Sequence, residues 1–192
     1  ELDWFACKAA MINMINRDFT TAQLWLEIAQ KEDVPNRQSP ITWSRLWPVF
    51  WLLNEDRSIE LDEQQLEGWA QNLLAENSLR GKNYINLTYH ILKIFGAKIP
   101  HARWTELAGN EVRVEHGYSL FANKQAIEQA LEAKRTAEAA ATLLLSAGSL
   151  KASEFLDESL LFIISTLNDL GLEQQAKGLA FQVLIKKNHQ IW

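Results

Sequence analysis

The sequence predicts an all-α protein built from stacked antiparallel helical hairpins, with an irregular helical bundle as the alternative arrangement. Three observations carry that expectation. Apolar residues recur at three- and four-residue spacing along nearly every segment, and almost none alternates at two over any length. Connections at both ends of the chain are too short for anything but an antiparallel return. The 192 residues are 47% hydrophobic and 22% charged, enough to bury a real core in one domain spanning 1–192.

The elements follow in order. A first helix is predicted from about Asp3 to Asn16, with Trp4, Cys7, Met11, Met14 and Ile15 on its inward stripe. A second starts near Thr20 and turns Leu24, Trp25, Ile28 and Ala29 inward, separated from the first only by Arg17, Asp18 and Phe19. A polar loop covers Lys31 to Gln38. Ser39 as N-cap and Pro40 at the first helical position then open a third helix, which Pro48 is expected to kink or divide. Asp62 opens a fourth, with Gln65 as its capping-box partner and Leu66, Trp69, Ala70, Leu73 and Leu74 inward.

Another helix is expected from Lys82 to Phe95, closed by Gly96, and a short one from Pro100 through Trp104 to Ala108. Asn110 to Gly117 reads as an extended loop. Asn123 is expected to cap a helix through Leu131, and Thr136 a separate one ended by Gly148. The alternative is one long helix from Lys124 to Ala147, since no breaker interrupts that stretch. The last pair runs from about Glu154 to Leu170 and from Glu173 to Lys187, joined at Gly171.

Charge and composition exclude several roles. A net charge of −5 and the absence of a Lys/Arg cluster argue against nucleic acid, the nearest run being Lys186, Lys187 and His189. The single Cys7 permits neither a disulfide framework nor a multi-thiolate zinc site, and fits a reducing, cytoplasmic setting. No apolar run approaches the roughly 20 residues of a membrane span. The chain begins at Glu1 rather than Met, which leaves room for a removed upstream segment and for an origin in a longer chain.

Two turns share a grammar. In Arg17-Asp18-Phe19-Thr20-Thr21-Ala22 and in Gly171-Leu172-Glu173-Gln174-Gln175-Ala176, a tight turn precedes a small Ala inside the next helix. Both segments resemble the inter-helix turn of tetratricopeptide (TPR) repeats, with Arg17 where that family prefers Gly. The likeness spans about 25 residues at each end, and the middle lacks a regular 34-residue period. The run of elements is also similar to helical-repeat regions of bacterial proteins. The resemblance implies an α-solenoid of stacked hairpins whose concave face binds another protein.

Motifs for catalysis are missing: no nucleophile elbow, P-loop, G-x-G-x-x-G or H-E-x-x-H occurs. His90, His101, His116 and His189 are scattered, and no pair has i, i+4 spacing, so neither a metal site nor a cofactor is expected. His90, beside Tyr89, reads as a partly buried structural residue. The acidic groups at Asp62-Glu63 and Asp157-Glu158 read as helix N-termini rather than paired catalytic carboxylates, and the sequon Asn86-Leu87-Thr88 falls mid-helix.

Eight Trp in 192 residues is the unusual feature of the composition. Trp4, Trp25, Trp69 and Trp104 sit beside Leu, Ile and Ala and read as wedges between hairpins. Trp43, Trp47 and Trp51, spaced by four and flanked by Phe50, form one ridge if their helix is continuous. That ridge reads as a core stripe or as a partner groove, and Trp43, Trp47, Phe50 and Trp51, with the terminal Trp192, are the candidate partner-binding residues. The function expected from all this is a non-catalytic interaction or scaffold module that binds another protein. A helical accessory domain of a larger enzyme or secretion component, and a bundle holding a small apolar ligand, are the alternatives.

Overall fold

Arg17 turns the chain between two helices that pack closely on each other, α1 (Asp3–Ile15) and α2 (Phe19–Lys31). The computed structural model describes residues 3–31, 43–54, 61–76, 78–107, 121–148, 151 and 154–189, and every element of regular structure among them is a helix. The others are α3 (Trp43–Leu53), α4 (Glu63–Glu76), α5 (Ser78–Ile94), α6 (His101–Leu107), α7 (Phe121–Glu132), α8 (Thr136–Ala147), α9 (Asp157–Asp169) and α10 (Glu173–His189). The all-α expectation holds, and the helices pair as hairpins: α1 with α2, α4 with α5, α7 with α8, α9 with α10. The predicted Ser39–Pro40 start and the extended stretch at Asn110 to Gly117 lie outside the described residues.

Three of these hairpins turn in the same way. Arg17, Lys134 and Gly171 are all left-handed, with φ of 60°, 58° and 77°. Each sits in a Schellman motif. The residue after it donates its N–H five residues back, Asp18 to Asn13 at 2.9 Å, Arg135 to Ala130 at 2.8 Å and Leu172 to Leu167 at 2.9 Å. The burial pattern around the turn repeats too. Seven positions before it stand the buried Ala10, Ile127 and Ile164, five after it the fully buried Ala22, Ala139 and Ala176, and nine after it the buried Leu26, Leu143 and Ala180. A small alanine at that point lets two antiparallel backbones approach within the turn's reach. The middle hairpin is hard to see in the sequence because Lys134 occupies the place where Gly is diagnostic.

Several predicted boundaries shift for physical reasons. Lys134 breaks the α7–α8 stretch, so two helices form rather than one. Thr136 is the first residue of α8 and not its cap, a position held by Arg135, whose side chain makes no capping hydrogen bond. Asn123 lies inside α7, which begins at Phe121. Asp62 does cap α4, accepting from the Gln64 N–H at 2.9 Å. Helix α5 starts four residues before Lys82 and includes Gly81, whose lack of a side chain serves packing rather than helix termination. Pro48 does not divide α3. It costs one backbone donor in the middle of the helix, while Leu46, Trp47, Val49, Phe50 and Leu52 around it are all buried and hold the segment in place.

Helices α3 and α5 lie at the centre. Helix α3 packs on α1 and α2 and also on α4, α5 and α10, while α5 meets α4, α6, α9 and α10. Buried hydrophobic side chains form one cluster reaching from Ala6 to Leu184. Polar ties fasten its rim: Arg103 Nη2 donates to Glu67 Oε2 at 2.8 Å between α6 and α4, and Lys187 Nζ meets Asp157 Oδ1 at 2.7 Å between α10 and α9. The α7/α8 hairpin touches α9 where Lys124 Nζ lies 5.4 Å from the Phe162 ring centroid. None of the described helices is long and apolar enough to cross a membrane.

Candidate interaction surface

The first hairpin keeps part of its predicted inward stripe, with Cys7, Met14 and Ala29 buried and Met11 and Trp25 half-buried, but turns Ile15, Leu24 and Ile28 outward. Residues packed inward are mostly small: Ala6, Cys7, Ala10 and Met14 from α1, Ala22, Leu26 and Ala29 from α2. Large apolar residues point the other way. Phe5, Ile12 and Ile15 on α1, and Leu24 and Ile28 on α2, are exposed, Ile12 and Leu24 each by 56%. Ile15, Leu24 and Ile28 are thus not core residues as the periodicity implied. The periodic pattern weights a large side chain above an alanine, but a closely packed helix pair selects the alanine. The row Ala6-Ala10 facing Ala22-Ala29 was the available signal.

Phe5 and the half-buried Trp25 close the seam between α1 and α2, edge to face at 5.5 Å between centroids. Around them the exposed apolar side chains form a patch that no other described helix covers. Lys8 and Glu27 on the same two helices are exposed as well. A contiguous apolar patch of this kind marks an interaction site in a folded protein, whereas isolated exposed Leu or Ile need no explanation.

The tryptophan ridge is placed differently. Trp47 and Phe50 belong to the core, at 6% and 8% exposure, and Trp51 packs half-buried against it. Helix α3 begins at Trp43, but the Trp43 side chain lies outside the described residues, as do the Trp4 side chain and the whole of Trp192. Of the ridge's described rings, only Trp51 retains surface that a partner could reach. Its central position explains why: α3 is packed by helices from both halves of the chain and has little free perimeter.

A second aromatic assembly joins α4, α5 and α6. Trp69 lies 6.0 Å from both Tyr84 and Tyr89. Tyr89 meets Trp104 edge-on at 5.6 Å, and the His90 ring packs on Trp104 at 4.7 Å. Lys93 Nζ stands 5.9 Å from the Trp104 ring. Trp69, Tyr84 and Tyr89 are buried and Trp25 and Trp104 partly so, but the ring contacts of Trp25 and Trp69 lie within a hairpin and not between hairpins as expected. Burial and, secondarily, the charge of Lys93 hold the His90 imidazole pKa below its usual value. Among the described residues, no group of three or more His, Cys, Asp or Glu is arranged to hold a metal ion.

Compared with protein-family models, curated proteins and solved structures, the chain matches none of them. Its hairpin grammar and its exposed apolar face are the features that bear on function.

Proposed function

We propose that this chain is a non-catalytic interaction module made of stacked, TPR-like hairpins, and that it binds another protein chain through the outward face of α1 and α2. One observation carries this reading: Phe5, Ile12, Ile15, Leu24 and Ile28 are exposed together on a single hairpin. Solvating that much contiguous apolar surface is unfavourable, and covering it in a complex recovers roughly 25 cal/mol per Å². The repeated turn at Arg17, Lys134 and Gly171 supports the hairpin-array part of the proposal, since about 37 residues separate the last two, close to the period of two-helix repeats.

The test is site-specific photocrosslinking in the native cell. A benzoyl-phenylalanine at position 12 is expected to give a discrete adduct, and one at the exposed position 129 on α7 is not. Equal adduct patterns at the two positions, or none at position 12, overturn the proposal.

A further inference from the structure

We draw no further inference here: the strongest candidate, the exposed apolar stripe on α8 formed by Ala141, Leu144 and Leu145, carries nothing because nothing in the structure shows what covers it.

Discussion

Gly81 on α5 sits against the backbone of Leu73 on α4, so close that a Cβ added to it would lie 2.5 Å from the Leu73 carbonyl oxygen. A carbonyl cannot rotate away as a side-chain tip can. Gly81→Ala is therefore expected to force α4 and α5 apart. Overpacking of this kind costs about 1–3 kcal/mol, which outweighs the roughly 1 kcal/mol that alanine gains over glycine within a helix. Gly68, also helical, has open space where a Cβ would stand, with no neighbouring atom within 4 Å. Gly68→Ala is expected to stabilise by about 0.5–1 kcal/mol. Urea unfolding of the two variants should move the midpoint in opposite directions.

Lys134 does with a side chain what Gly171 does without one. Both close a helix at positive φ, but an L-residue in that region carries about 1 kcal/mol of strain that glycine avoids. Lys134→Gly is expected to raise the unfolding free energy of the chain by several tenths of a kcal/mol, and Gly171→Ala to lower it by about 1 kcal/mol. Arg17→Gly should behave like Lys134→Gly, because its φ of 60° is nearly the same. Calorimetric melting of the three variants measures this, and a destabilised Lys134→Gly would contradict the account of the turn.

These turns also mark how far the sequence was legible. Helix periodicity located the helices, and Gly96, Gly148 and Gly171 ended theirs where expected, since glycine at a helix end has one physical meaning. Lys134 carries no such signature in its residue type, and its left-handed backbone is imposed by the packing of α7 on α8. The exposure of Ile15, Leu24 and Ile28 was hidden for a related reason. Periodicity finds a stripe of large apolar residues, but the buried positions of this hairpin include Ala6, Ala10, Ala22 and Ala29, and Ile15, Leu24 and Ile28 are left outside. The candidate ridge at Trp47 and Phe50 was legible as an apolar stripe. Which neighbours cover it depends on contacts from α3 to distant α5 and α10, and local spacing does not encode those.

Arg103 and Glu67 join two helices that are far apart in sequence, and only 11% of the Arg103 side chain is exposed. Glu67 is 40% exposed, so solvent screens part of the attraction, and the pair is worth less than a fully buried one. Glu67 also accepts from Gln71 Nε2 at 3.1 Å, which fixes its orientation. Glu67→Gln keeps an acceptor facing Arg103 and is expected to cost about 0.5–1 kcal/mol. Glu67→Ala removes both the charge and the acceptor from a largely buried guanidinium and is expected to cost about 2 kcal/mol. Denaturant titration of both variants checks the order, and equal effects would mean that the carboxylate contributes only packing.

His90 gives the fold a pH dependence of known sign. Burial against Trp104, and then the nearby Lys93 charge, lower its pKa in the folded chain below the ordinary value of 6.5. Above that value the ring is neutral in both folded and unfolded states, and it contributes no slope. As pH falls through the unfolded value, the unfolded chain takes up a proton that the folded chain still refuses, so stability declines. The decline stops once pH passes below the folded pKa, where both states are protonated. The expected result is a urea midpoint that declines as pH falls through 6.5, with the His90 share of that decline absent in His90→Phe, which keeps a ring on Trp104. A proton-NMR titration of the His90 ring gives the independent check, and a midpoint at or above 6.5 would sink the prediction.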